Sequence, residues 1–145
     1  MMISTRGRYA LRTMIDLAEH YASGEYVPLK EIAARQEISE KYLEQIISIL
    51  NKAGFVRSVR GPQGGYSLSR TPADYTVGMI LRLTEGSLCP VDCAAEENGS
   101  CDREDTCVTR MLWKKLDDAI SSVVDHVSLE ELLSWQNARA DDYVI

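Results

Sequence analysis

The sequence predicts a mainly α fold with one small β-hairpin near its middle and a long helix toward its C-terminus. Three observations predict it. Apolar residues recur at helical spacing in successive segments before residue 55. The strand-like run Phe55-Val56-Arg57-Ser58-Val59-Arg60 is followed by the breaker cluster Gly61-Pro62-Gln63-Gly64-Gly65 and by Tyr66-Ser67-Leu68. A long apolar stripe then runs through Val108, Leu112, Leu116, Ala119, Ile120, Val123 and Val127. Helices followed by such a hairpin make a winged helix-turn-helix pattern.

Each element has a local cause. Ser4 or Thr5 can cap a first helix, in which Tyr9, Met14, Leu17, Ala18 and Tyr21 repeat, and Ser23-Gly24 stops it. Pro28 opens a short second helix with Leu29, Ile32 and Ala33 inward. After a turn at Glu37-Ile38, Ser39 caps a third helix, with Ile38 and Leu43 at the two positions of a hydrophobic staple. That helix buries Leu43, Ile46, Ile47 and Leu50, shows Lys41, Glu44, Gln45, Ser48 and Lys52, and ends at Gly54. Beyond the hairpin, Thr76–Thr84 reads as a helix carrying Val77, Ile80 and Leu81. Residues 85–106 have no periodicity. A helix follows from about Cys107 to His126, then a last helix with Ser128 and Glu131 as its capping box. Ala138–Ile145 reads as a polar tail. The division is 1–75 for the winged domain, 76–106 for a connecting helix and cysteine-containing loop, 107–138 for the long helix and a short C-terminal helix, and 139–145 for a flexible tail.

The chain has 145 residues and a net charge of −6, unevenly spread. Residues 1–70 carry ten Lys/Arg and seven Asp/Glu, whereas residues 71–145 carry six and fifteen. A polyanion would therefore meet the N-terminal half. The N-terminus lacks the apolar core of a signal peptide and no run is long enough to span a bilayer, so a cytoplasmic location is the expectation. No Ser-His-Asp set, phosphate-loop glycine pattern or Cys-x-x-Cys motif points to an enzyme. His20 and His126 lie at helix ends and read as structural.

The third helix would enter a major groove by its N-terminal end, from Ser39 onward. Gln45 can read adenine, Glu44 can accept from cytosine, and Lys41 can meet guanine or phosphate. The hairpin tip carries Arg57 and Arg60, and Gly61, Gln63, Gly64 and Gly65 there let backbone N–H groups approach a phosphate while an arginine enters a minor groove. Four cysteines, Cys89, Cys93, Cys101 and Cys107, follow the spacing Cys-x3-Cys-x7-Cys-x5-Cys. Their thiolates suit an iron–sulfur cluster or zinc, although zinc knuckles prefer Cys-x2-Cys pairs. Redox-active thiols and inert loop cysteines are the other readings.

The blocks Ser4-Thr5-Arg6-Gly7-Arg8-Tyr9-Ala10, Ile38-Ser39-Glu40-Lys41-Tyr42-Leu43-Glu44-Gln45 and Val59-Arg60-Gly61-Pro62-Gln63-Gly64-Gly65-Tyr66 resemble the iron–sulfur cluster regulator and cysteine metabolism repressor family (IscR/NsrR/CymR-like, Rrf-two) of winged-helix transcription regulators. The resemblance spans residues 1 to about 135. It implies a homodimer, usually a repressor, that binds a palindromic operator in double-stranded DNA and crosses a long C-terminal helix with its partner. The apolar stripe on 108–127, too wide for one small domain to cover, agrees with that. Lys41, Tyr42, Glu44 and Gln45 match the family's recognition-helix positions, and Arg60 its minor-groove arginine. Cys93, Cys101 and Cys107 match the three cysteines that hold a 2Fe–2S or 4Fe–4S cluster, with Cys89 or the other subunit supplying a fourth ligand. Two features depart from the iron–sulfur regulator: the first gap is seven residues rather than five, and Arg110 stands where a histidine ligand is expected. The terminal Asp142-Tyr143-Val144-Ile145 resembles the tail of serine acetyltransferases, which inserts into cysteine synthase, and so implies that enzyme as a partner.

Overall fold

The Ser4 hydroxyl accepts a hydrogen bond from the Gly7 amide and starts α1 (Thr5–Tyr21) in a computed structural model that describes residues 2–95, 103 and 105–142. Pro28, with φ −62°, precedes α2 (Leu29–Gln36), which stops where Glu37 turns left-handed at φ 54°. Ser39 then caps α3 (Glu40–Lys52), its hydroxyl accepting from the Tyr42 amide at 3.2 Å. Such a cap is worth about 1 kcal/mol. The staple residues Ile38 and Leu43 are both buried. Gly54, at φ 76°, ends α3 and releases the chain into the hairpin β1 (Val56–Val59) and β2 (Gly65–Leu68).

The hairpin pairs Val56 with Leu68, Arg57 with Ser67, Ser58 with Tyr66 and Val59 with Gly65. A third stretch joins it. Val27, between α1 and α2, exchanges two backbone hydrogen bonds of 2.8 Å with Tyr66. Gly65 permits this approach, since a Cβ there would lie inside van der Waals contact with the Val27 carbonyl and 2.7 Å from the Pro28 nitrogen.

A single core joins the helices before and after the hairpin. Ala10, Met14 and Leu17 of α1, Ile32 of α2, and Leu43, Ile46 and Leu50 of α3 meet Val56 and Leu68 of the hairpin. Tyr75, Ile80 of α4 (Val77–Glu85) and Leu129 of α6 (Leu129–Asp142) complete it. Tyr75 is fully buried; its hydroxyl donates to the Phe55 carbonyl at 2.7 Å and accepts from the Arg70 amide at 3.1 Å. Backbone bonds from Leu129 to Tyr75 and from Val77 to Val127 pin the start of α6 to the start of α4.

One carboxylate lies inside this core. Asp16 of α1 is 1% exposed and takes two hydrogen bonds from Arg35, at 3.0 and 2.8 Å, and one from Gln36 at 2.9 Å. A buried charge is tolerated only when paired and hydrogen-bonded in this way. The bond to Asp16 in turn raises the Arg35 pKa. The fork locks α2 against α1 and so sets the angle at which α3 leaves the turn.

The long helix α5 (Val108–Val124) presents its apolar residues outward. Val108 is 77% exposed, Met111 66%, Leu112 50%, Leu116 42% and Val123 61%. Arg82 of α4, bonded to Asp125 and to Ser121 at 3.2 Å, holds the far end of α5 against the core. The hydrogen bond to Asp125 also raises the Arg82 pKa. α6 continues past Ala138 to Asp142, where a polar tail was expected. Ala138, Arg139 and Ala140 are strong helix formers and carry the helix on. Tyr143, Val144 and Ile145, and the side chain of Asp142, lie outside the described residues.

Candidate DNA-binding surface and cysteine loop

The outward face of α3 is free of the core. Lys41, Glu44, Gln45 and Ser48 are exposed and line an open groove. Ser39 is exposed too, its hydroxyl oxygen already serving as the cap and its O–H left to donate. Tyr42 is half-buried, its ring edge-on to Tyr9 at 5.9 Å, so it joins this surface from the side. The groove has one more wall, which the sequence reading left out. Arg6, in the first turn of α1, lines it with Lys41, Glu44 and Gln45. Arg6 falls in the first of the blocks that resemble the family and beside the Ser4 cap, but nothing in the spacing places it near α3.

The hairpin carries the other predicted contacts, at two heights. Arg60, Gly61 and Gln63 are exposed at the tip, where the Gly64 amide bonds to the Gly61 carbonyl at 2.9 Å. Gly61 has φ 113°, open to a residue without Cβ. Arg57 lies lower, opposite Ser67 in the ladder, with its guanidinium over the Tyr26 ring at 5.9 Å from the centroid. Gly64 and Gly65 are half-buried, Gly64 against the backbone of Val59, Arg60 and Gly61 in the hairpin's own turn, and Gly65 against Val27. Arg60 is thus the extended cation of the wing, whereas Arg57 braces its flank.

Past α4, buried Leu88, Ala94 and Ala95 anchor the start of the cysteine segment. Cys89 is half-buried and its amide donates to Ser87 Oγ. Cys93 is exposed in a short 3-10 turn, Asp92–Ala94. Cys107 occupies the N-cap of α5. Its thiol lies 3.2 Å from the Thr109 hydroxyl; that hydrogen bond, helped by the Arg110 backbone, lowers its pKa. Arg110 Nε donates to the Cys93 carbonyl at 3.2 Å and ties the turn to the first turn of α5. Cys101 lies outside the described residues. Among the described residues, no three potential ligands converge. His20 bonds to the Asp16 carbonyl and His126 to the Ser122 carbonyl, each through Nδ1.

The model of the Rrf2 family, described as an iron-dependent transcriptional regulator, matches residues 3–134. The chain belongs to the Rrf2 family. The transcriptional regulator IscR of Aliivibrio salmonicida is 44% identical to this Rrf2 chain over 133 residues, 92% of this chain and 77% of that protein. The crystal structure of CymR, the global cysteine regulator of Bacillus subtilis, superposes with a TM-score of 0.80 at 40% identity, covering 93% of this chain and 98% of that one. IscR of T. potens superposes with a TM-score of 0.75 at 43% identity, covering 92% and 87%. These relatives are winged-helix regulators, and this Rrf2 chain is a DNA-binding transcription regulator rather than an enzyme. No helix among the described residues is long and apolar enough to cross a membrane.

Proposed function

We propose that the chain acts as a homodimeric repressor of cysteine or iron–sulfur metabolism that reads an operator with α3 and the wing and is controlled through its cysteine loop. One observation carries the reading. The exposed row Lys41, Glu44, Gln45 stands next to a glycine-tipped hairpin that extends Arg60. Base-edge donors and acceptors on a helix, with a cation on a projecting hairpin, are the parts needed for major-groove readout and a flanking minor-groove contact. Ser39, Tyr42, Arg57, Gly61, Gln63, Gly64 and Gly65 shape and support that surface. Residues 1–75 form the DNA-facing unit, 76–106 hold the connecting helix and the cysteine-containing loop, 107–138 pair the protomers, and the 139–145 segment begins as the end of α6. The exposed stripe on α5 supports pairing with a second copy.

The donor set fits an iron–sulfur cluster. Cys93, Cys101 and Cys107 supply soft thiolates, and the lowered Cys107 pKa favours the anionic form that ligates. Cys89 is the nearest candidate in sequence for a fourth ligand. A bound cluster would supply redox and oxygen chemistry to the loop. Arg110, tethered to Cys93, replaces a histidine donor with a cation beside the anionic thiolates. A regulator with redox-active thiols and no cluster is the competing reading.

One anaerobic preparation tests both parts. It should be brown, with visible absorbance that bleaches in air, and should shift a promoter duplex less strongly as salt rises. Arg60→Ala should weaken the shift about tenfold or more. A colourless protein after reconstitution with iron and sulfide removes the cluster, and an Arg60→Ala protein that binds like wild type removes the wing contact.

The segment Asp142-Tyr143-Val144-Ile145 is assigned to docking on cysteine synthase. Its support is the sequence itself and the name of the superposing cysteine regulator. A peptide of the last ten residues should bind that enzyme. No binding at high micromolar concentration overturns the assignment.

A further inference from the structure

Arg6 is exposed and shares the α3 groove with Lys41, Glu44, Gln45 and Ser48. Among the described residues its guanidinium takes part in no ion pair; the pairs of α1 involve Asp16. Its backbone, in contrast, is held firmly. Glu85, the last residue of α4, accepts hydrogen bonds from both the amide and the hydroxyl of Ser4, the residue that caps α1. Gly7 is buried against that same carboxylate, and a Cβ there would displace it. The first turn of α1, with Arg6 between these two contacts, is fastened to the end of α4. The next residues, Gly86 to Cys89, open the cysteine segment.

We propose that Arg6 is a DNA-phosphate contact at the edge of the recognition groove and that Glu85 is the positioning residue that sets its height over α3. The inference rests on α3 facing DNA, as argued above. A guanidinium on a neighbouring helix, beside a row of base-edge groups, lies where the flanking phosphates of a duplex pass. Its planar fork matches a phosphate oxygen pair, and it is free to do so. Glu85 does not touch the duplex. It fastens the first turn of α1, and with it Arg6, to the end of α4.

The test uses the full chain and two duplexes, one selected by the wild-type protein from a random library and one unrelated. Arg6→Ala should lose about tenfold in affinity on both, keep its sequence preference, and flatten the slope of log K against log salt by about 0.9 for each phosphate contact removed. Arg6→Lys should keep the wild-type slope. Glu85→Ala should weaken binding several-fold in the wild-type background and have no effect in the Arg6→Ala background, whereas a merely structural loss would cost the same in both. A wild-type salt slope in Arg6→Ala overturns the contact, and equal Glu85→Ala costs in both backgrounds overturn the positioning role. Gln45→Ala separates the premises. If it loses sequence preference while Arg6→Ala changes nothing, only the present inference falls. If Gln45→Ala is also silent, the reading of α3 as the DNA-facing helix falls with it.

Discussion

The double variant Leu112→Asp/Leu116→Asp should be a folded monomer that has lost high-affinity operator binding. Both leucines lie on the outward stripe of α5, 50% and 42% exposed in the single protomer, and neither belongs to the core around Met14, Leu50 and Tyr75. Carboxylates there are therefore harmless to the protomer. In a symmetric dimer each substitution occurs twice. Fully burying a leucine contributes about 1.5–3 kcal/mol, and burying an unpaired carboxylate costs several more. The dimer constant should weaken by at least about a thousandfold, since each 1.4 kcal/mol is tenfold. Operator binding then falls as well, because one protomer reaches a single half-site and the gain from linked contacts, commonly 10²–10⁴, is lost. Sedimentation gives the mass, circular dichroism the folded state and a gel shift the affinity. A variant that stays dimeric at micromolar concentration would rule out α5 as the pairing face.

Signals that act within a few residues were legible in the sequence. The Ser39 cap, the Ile38–Leu43 staple and the buried set Leu43, Ile46, Ile47 and Leu50 all follow from spacing along α3, and each is observed. The hairpin followed from its glycines, and the α5 stripe from its period. Interactions between distant residues were not legible. Asp16 reads as a polar residue in a helix, and only folding brings Arg35 and Gln36 around it. Ser4 and Glu85 are 81 positions apart, so the fastening of α1 to α4 has no sequence signature. Leu129 looks like the first residue of a short terminal helix, yet it fills the core, because the bridge between Thr76 and Ser128 carries it there. Arg57 reads as a tip residue from its distance to Gly61, but the register places it opposite Ser67, against Tyr26. Of the candidate site, the α3 row and Arg60 could be named from the chain alone. Arg6 needed the packing.

Gly65→Ala should strongly destabilise the wing. Gly65 has φ 155°, and an added Cβ would meet the backbone of Val27 and Pro28 rather than a movable side chain. Backbone cannot give way without breaking the pair of 2.8 Å hydrogen bonds between Val27 and Tyr66. Overpacking of this kind costs about 1–3 kcal/mol, and losing the bridge adds about 1 kcal/mol per bond. A total of about 3–5 kcal/mol should lower Tm by roughly 10–15 °C. Affinity for DNA should fall further than stability explains, because the bridge is what fixes the hairpin, and hence Arg60, against the linker between α1 and α2. Gly61→Ala separates strain from collision: its φ is 113°, yet nothing lies within 4 Å of the added Cβ. That variant should cost only the strain, about 1–2 kcal/mol, and should leave the Val27 and Tyr66 amides protected from hydrogen exchange. In Gly65→Ala those two amides should exchange quickly in an otherwise protected core. Wild-type protection at Val27 and Tyr66 in Gly65→Ala would mean that the wing is held in place by something other than this bridge.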